Sequence, residues 1–597
     1  VLAFVLVAVL IFALLGTALL TVTYGVRARA IRFKNETIAM LAAEAGYEQA
    51  LFWMGEQSDV LNGLAASPSA GAGTLTFTSS SATYLVTFEN YMGARPIFRV
   101  LSVGTCGSAK RVVDCFVMQA IDGWAMAKCR IPNGTTSDKE VYFATGETID
   151  MPLCINKLND SPDVMDIYID GTPKFTQKVS MGELQRAGNV DKYSGVMNLF
   201  QGGIIFGQPK LRITDPTAVS QKIARFKNFT KPQYIFTPQA VTGLNKGVTN
   251  TDYLASGVYP AVQLEFYVQG GVGYVRITNN CTVICGQRSG ATNDYCIPDP
   301  ANPNTYGKYD IYGWHYRYDP CDAATPVGSK AVPALVTDTY VQQVFSGKAS
   351  DPGGQIYVNG NVVIGGDTES GVTLDTQVLQ GKLTVVATGN IWIADSIMMD
   401  GTRYPNSDPC NPGMPAANNP NVLGLIAGGV VKVIDPGMSS YARDDNNGRP
   451  GPPQSPRTLA VGSNTFKFRY APVANQATGS VIPGDRTLPN PMIIEAAVTV
   501  GGGGWGAEGV SIANNGETDG RRESGEPSGS DGHTQDSLIL RGSICEVVRG
   551  VVGIIDHDGY LKQYYLDDRL LEGVLPGNIW FGGKYIPAPA GWHDYRQ

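Results

Sequence analysis

The chain opens on 24 residues without a charged side chain, VLAFVLVAVLIFALLGTALLTVTY. At a helical rise of about 1.5 Å per residue they span roughly 36 Å, enough to cross a hydrocarbon core of about 30 Å. The helical pattern continues past them. The next stretch, VRARAIRFKNETIAMLAAEAGYEQALFWMGEQ, is rich in Ala, Leu, Met, Glu and Gln and has no proline. Apolar Ile38, Leu41, Ala45, Leu51 and Phe52 recur in it at helical spacing. One helix over residues 1–57 is predicted, a rod of roughly 80 Å whose first half is membrane-grade and whose second half is amphipathic.

From residue 58 the period changes. GLAASPSAGAG reads as a loop, and TLTFTSSSATYLVTFENYMGARPIFRVLSVGTCGSAKRVVDCFVMQA then alternates apolar and polar positions, with turns at Gly93 and Gly107. A small antiparallel sheet over 58–121 is expected. Between 122 and 334 the pattern is irregular: short strands such as VMDIYID, GGIIFG and LEFYVQ, and one amphipathic stretch, PTAVSQKIARFKNF. This region reads as a β-rich insertion holding six cysteines, without an assignable fold.

Residues 335–597 carry five apolar strand blocks: GGQIYVNGNVVIGG, GKLTVVATGNIWIADSI, NVLGLIAGGVVKVID, NPMIIEAAVTVGGG and SLILRGSICEVVRGVVGI. Two contain Gly-Asn before an apolar run, at Gly360-Asn361 and Gly389-Asn390. Each block buries little alone, whereas stacked blocks make one continuous core, so a parallel β-solenoid is predicted. Loops such as GMSSYARDDNNGRPGPPQSP would project from it, and GYLKQYYLDDRL would cap it. A β-sandwich is the competing arrangement, because apolar runs do not report topology. The fold class is therefore α+β, mostly β.

Composition sharpens this picture. The 597 residues suggest three or four domains. Charged residues make up 17%, against about 25% in an average protein, and Gly (71) and Pro (36) are abundant, a profile of strands and turns. The net charge of -7 shows no basic stripe, so nucleic acid is not an expected partner. Arg27, Arg29, Arg32 and Lys34 would by themselves hold the C-terminal side of the apolar span in the cytoplasm. Ten cysteines and five Asn-x-Ser/Thr triplets, starting at Asn35, Asn133, Asn159, Asn228 and Asn280, argue for an oxidising compartment instead. A short basic leader, removed from in front of an apolar run that is itself kept, reconciles the two.

Reactive motifs are sparse. There is no Cys-x-x-Cys-His for haem attachment, and CTVIC (Cys281 to Cys285) has the wrong spacing for it. A disulfide is the plainer reading of that pair than a zinc site lacking two ligands. The candidate disulfide cysteines are Cys106, Cys115, Cys129, Cys154, Cys281, Cys285, Cys296 and Cys321, with Cys410 and Cys545 open to pairing or not. The histidines His315, His533, His557 and His593 offer little to a His-based active site, and DHDGY (556–560) reads as a turn. GGGGWGAEG (501–509) lacks the Lys-Ser/Thr of a phosphate loop and reads as a flexible loop. Acidic clusters at Asp160, Asp163, Asp166 and Asp170 and at Asp444 and Asp445 would suit Ca2+, but the twelve-residue calcium-loop spacing is missing, and solvated turns explain them more simply. No cofactor and no enzymatic activity are expected.

A long half-apolar helix ahead of a β-rich body resembles type IV pilins and pseudopilins, and AAEAGYEQALFW (Ala42 to Trp53) is similar to the helix of PilX-type proteins. The Gly-rich blocks, with an ending that carries Arg549-Gly550, Gly559-Tyr560, Lys562, Tyr564, Asp567 and Arg569-Leu570, resemble those of large pilin-like proteins. The resemblance implies trimming by a prepilin peptidase, an inner-membrane precursor pool, and extraction by the pilus assembly machinery into an extracellular filament. Copies of the chain would pack through Val1, Phe4, Val5, Leu10, Leu14, Tyr24, Phe33 and Leu41. One departure stands out: Val5 occupies the position where family members usually carry a glutamate that pairs with a neighbour's N-terminal amine. Subunits lacking it are often those that cap or initiate a filament. The expected role is a structural filament subunit; the alternatives are a minor tip pilin or adhesin that binds a surface or glycan, and a polysaccharide-active solenoid enzyme, the last on fold analogy alone.

Overall fold

The computed structural model describes residues 1–56, 71–77, 80–90, 97–119, 123–128, 142–156, 166–187, 190–208, 223–224, 226–228, 230–238, 253–288, 298–299, 302–306, 314–318, 354–365, 376–393, 396–402, 415–416, 418–433, 457–461, 464–468, 473–474, 481–482, 492–501, 504–507, 537–550, 552, 560–571 and 585–596. The chain divides into two units rather than three or four: Val1–Gln119 together with Lys584–Gln597, and Ala120–Gly583. The helix and sheet expected as separate regions, 1–57 and 58–121, belong to one unit.

In the first unit, α1 (Leu2–Glu56) runs unbroken for 55 residues. The three threonines of its apolar half find partners within the helix. The hydroxyls of Thr17, Thr21 and Thr23 each donate to the carbonyl four residues earlier, at 2.9, 2.8 and 2.7 Å. Strands β1 (Gly71–Phe77), β2 (Ser80–Asn90), β3 (Ile97–Cys106) and β4 (Ala109–Gln119) form the predicted antiparallel meander. The β3–β4 hairpin closes through Gly107 at φ 61°, a left-handed geometry glycine adopts without steric cost. A fifth strand completes the sheet from the far end of the chain: Tyr585–Arg596 pairs antiparallel with β4. Gln119 and Tyr585 are register partners, so the intervening residues leave and re-enter the sheet at one place.

The second unit is built around a stack of parallel strands, with an antiparallel hairpin, Tyr253–Gln269 and Val272–Arg288, joined to its second sheet. In spatial order the stacked strands are Ile204–Ile205, Val179–Met181, Leu153–Ile155, Trp124–Lys128, Ser537–Val548, Met492–Val500, Val422–Ala427, Lys382–Ala387, Gly354–Val358 and Ile235–Phe236. Every neighbouring pair is parallel. A second sheet repeats the order with Asn361–Ile364, Ile391–Ile393, Val431–Val433 and Trp505–Ala507, all parallel. The predicted stacking of the five blocks is thus present, and one core cluster joins Val385, Ile393, Leu425, Val433, Ile494 and Leu540 with many others.

Three expectations change. The stack begins at Trp124, not near 335, so the described strands at 124–128, 153–155, 179–181 and 204–205 are rungs of the same structure. GYLKQYYLDDRL is a rung as well: Leu561–Leu566 pairs in parallel with Ser537–Gly542 and with Thr148–Asp150. The glycine-rich stretch near 505 is no loose loop, since Trp505–Ala507 is a buried strand. The stretch 437–456, read above as a projecting loop, lies outside the described residues.

The Gly-Asn pairs explain how the turns of successive rungs align. Asn390 N–H donates to Asn361 Oδ1 at 2.9 Å, and Val430 N–H donates to Asn390 Oδ1 at 2.9 Å. A Cβ on Gly389 would fall 2.3 Å from Asn361 Oδ1, so the glycine makes room for the ladder. Asn390→Ala leaves the buried Val430 N–H without its acceptor and is expected to cost about 1–3 kcal/mol. Chemical denaturation of the detergent-solubilised chain checks this; an unchanged solenoid transition would mean the ladder contributes nothing.

Candidate assembly surface

The sequence-predicted residues Val1, Phe4, Val5, Leu10, Leu14, Tyr24, Phe33 and Leu41 are all exposed on α1. Helix Leu2–Gly55 is long and apolar enough to cross a membrane, by length and composition. Only the second half of the helix is packed within the unit. Ile38, Ala39, Ala42, Ala43, Tyr47, Ala50 and Met54 are buried, one face at i, i+3, i+4 spacing. Ala43, Tyr47, Ala50 and Met54 meet Val86, Phe98, Val100, Val113, Cys115 and Val117 of the sheet, and Ile38, Ala39 and Ala42 meet Ala82 and Cys106.

Small residues set the closeness of this seam. A Cβ on Gly104 would lie 2.0 Å from the Ala39 carbonyl oxygen and 2.5 Å from the Ala43 nitrogen, so the strand backbone rests on the helix backbone. On the helix side, a Cβ on Gly46 would lie 2.3 Å from Ser102 Oγ. The C-terminal strand adds Trp592, whose ring meets Tyr47 edge-on at 4.9 Å. Ion pairs brace the sheet: Arg99 donates twice to Asp114, at 2.8 and 2.7 Å, and Arg111 to Asp594 at 2.8 Å. Glu36 on α1 takes Arg32 at 3.2 Å and Arg596 at 2.9 Å.

The cysteine expectations are corrected where the structure describes them. Cys106 and Cys115 are thiols, not a disulfide. Cys115 Sγ donates to Tyr47 Oη at 3.6 Å, and burial pushes its thiol up from the ordinary value, which disfavours reactive thiolate. Cys154 and Cys545 share a row with Ala125 between them, two strand spacings or about 9.5 Å apart, too far to be bridged to each other. Cys281 and Cys285 lie on one strand, Val272–Arg288, and their side chains lie outside the described ones. Cys129, Cys296, Cys321 and Cys410 lie outside the described residues.

Among the described residues no group of three or more His, Cys, Asp or Glu side chains is placed to hold a metal ion. Asp160, Asp163, Asp444 and Asp445 of the acidic clusters are outside them, as are His533 and His557.

The second unit hides charged groups that pattern reading passed over. Glu495 accepts from Arg541 Nη1 at 2.5 Å, from Met399 N–H at 2.5 Å and from Thr402 Oγ1 at 2.9 Å. Glu546 accepts from Trp124 Nε1 at 2.7 Å, Trp505 N–H at 2.8 Å and Gly550 N–H at 3.2 Å. It therefore ties the first described rung to two of the last. The ending motif does similar work. Lys562 pairs with Glu147, Arg549 lies 3.9 Å from the Phe143 ring centre, and Tyr564 Oη accepts from Trp505 Nε1 at 2.8 Å. Asp567 holds Arg569 at 2.9 and 2.6 Å, which in turn donates to the Asn419 and Asn421 carbonyls at 2.5 and 2.9 Å. These are braces between rungs. The sequence signal available was the clustering of Arg, Lys, Tyr and Asp in one short segment.

Burial pushes the Glu546 carboxyl up to about 7, against the three N–H donors and Arg549, which favour the charged form. A carboxyl raised in the folded state stabilises fully below its ordinary value near 4.5 and loses that contribution as pH rises through about 7. The loss amounts to about 3 kcal/mol. Unfolding of wild type and Glu546→Gln at pH 5 and pH 8 tests it: the pH dependence of the variant is expected to be smaller by about that amount, and identical pH dependence would refute it.

No protein-family model matches the chain, and no curated protein matches it. Among solved structures it is similar to the competence-associated pilin ComZ from Thermus thermophilus, at 12% identity, with 94% of this chain and 98% of that chain covered and a TM-score of 0.22. A TM-score at that level leaves any functional reading to rest on the helix and the sheet themselves.

Proposed function

We propose that the chain is a pilin-like subunit of a surface filament. The observation that carries this is the split personality of α1. Its second half is seated on a five-stranded antiparallel sheet, while its first half presents large apolar side chains on every side with nothing of the unit against them. A helix apolar all round is stable only when buried, in lipid or in a bundle. Membrane residence before assembly and burial among copies afterwards satisfy the same surface twice. In this reading a prepilin peptidase and the pilus machinery act on the precursor in the inner membrane, the filament is extracellular, and the role is structural rather than catalytic.

Purified surface material, imaged by negative-stain electron microscopy and immunogold-labelled for this chain, tests the reading. Uniform labelling along filaments is the expected result, and filaments without label would overturn it. A second reading is a minor tip subunit or adhesin. Label confined to filament ends would select it.

A further inference from the structure

The half of α1 that rests on the sheet has a second face. Phe33, Leu41, Glu44, Glu48 and Phe52 fall within about 100° of arc, opposite the face buried on the sheet. Three of the five are large and apolar, and they are 72%, 45% and 65% exposed at Phe33, Leu41 and Phe52. A face meant for water would not carry them in line. Glu44 is half-buried and Glu48 exposed among them, and none of the ion pairs among the described residues uses either. Further up the helix, just past the uncharged span, Arg27 and Arg29 are exposed and equally unused by those pairs. Two residues apart on a helix, they point to opposite sides, one toward each of two neighbours.

Resting on the filament reading above, we infer that this outer stripe is the seat for the apolar half of a second, parallel copy, held in register by Arg27 or Arg29 of that copy against Glu44 and Glu48. The axial offset follows from the numbering. It lies between 15 residues (Arg29 to Glu44) and 21 (Arg27 to Glu48), about 22–32 Å. At such an offset the uncharged Tyr24 region of one copy meets Leu41 of the next, so apolar burial supplies the cohesion. The charges select the register to within this window, since a slip of two helical turns or more takes both arginines past both glutamates, whereas a slip of one turn only moves an arginine from Glu44 to Glu48. This fixes what apolar packing alone leaves free, because a uniformly greasy helix slides along its partner without a preferred stop.

Glu44→Lys/Glu48→Lys is expected to cut pelleted filament by about tenfold or more, with the membrane-bound precursor at its normal level. Adding Arg27→Glu and Arg29→Glu to the same chain is expected to restore at least half. Those last two changes also remove cations that flank the span, so protease protection checks the membrane orientation of every variant. A Tyr24→Cys/Leu41→Cys chain keeps all four charges and reports the same offset of 17 residues as a ladder of disulfide-linked multimers on a non-reducing gel. Tyr24→Cys/Phe52→Cys, whose offset is 28 residues, should give none. Wild-type filament yield from the lysine double variant, or a ladder only from the Phe52 pair, overturns the proposed register. Filaments untouched by an aspartate in the apolar half would instead overturn the assembly reading on which the register rests.

Discussion

Leu14→Asp abolishes filaments while the precursor's sheet and solenoid stay folded: this is the expected result with the largest effect. Leu14 is 61% exposed in the isolated chain and Leu10 60%, so neither contributes to the packing of the sheet on α1. Their burial comes from lipid or from neighbouring copies. Each Leu fully buried against a neighbour contributes about 1.5–3 kcal/mol. Aspartate at that depth loses this and adds an uncompensated buried charge, whose removal from water is strongly unfavourable. The change repeats in every copy, so the penalty multiplies along the polymer. An Asp near the centre of a membrane span costs about 2.5–3.5 kcal/mol on insertion scales, an amount the remaining run of Leu, Val and Ile offsets. Alkaline extraction of membranes separates a failure to insert from a failure to assemble, and Leu14→Met serves as the volume-conserving control. Normal filament yield from Leu14→Asp or Leu10→Asp would sink the proposal.

Gly104→Val has the second largest expected effect, and it strikes the other half of α1. The added side chain would begin 2.0 Å from the Ala39 carbonyl oxygen, an atom of helix backbone that no rotamer change can move. Ala39, Ala42 and Ala43 are fully buried at this seam, so the helix has no long side chain to yield there. The strand and helix must separate, opening the cluster that holds Tyr47, Ala50 and Met54 on the sheet. A loss of about 4 kcal/mol or more is expected, at the extreme of single substitutions. Limited proteolysis should release α1 from the sheet in this variant, while the solenoid's thermal transition is unchanged. Leu85→Ala, at an exposed position of β2, should leave both unaltered. Protease resistance equal to wild type in Gly104→Val would show that the seam is looser than described.

Much of this was legible in the order of the residues. An uncharged run followed by Ala, Glu and Leu at helical spacing can only be satisfied by one long helix, since every backbone group of a lipid-exposed segment must be bonded within it. The alternation in residues 74–119 announced the meander, and Gly360-Asn361 and Gly389-Asn390 marked turns whose side chains do stack. GGIIFG did announce the strand Ile204–Ile205, but the rungs Leu153–Ile155 and Val179–Met181 were not legible. They are three residues long, too short to show any period, and they are strands only because Trp124–Lys128 and its neighbours offer an open parallel edge. Similarly, LKQYYL alternates like an edge strand yet sits inside the stack, because its polar Lys562 finds Glu147, 415 residues away.

By itself, then, the sequence determined the helix, its two-sided character and the kind of sheets that follow, because period and turn chemistry act over a few residues. Tertiary structure alone decided the rest. It showed that Tyr585–Arg596 closes the first sheet, that residues near 124 and 548 share one stack, and that α1 bears an outer stripe opposite its seat. The physical reason is the same in each case: strand register between distant segments, and which side of a helix remains uncovered, depend on what the chain brings alongside, and no local pattern encodes that partner.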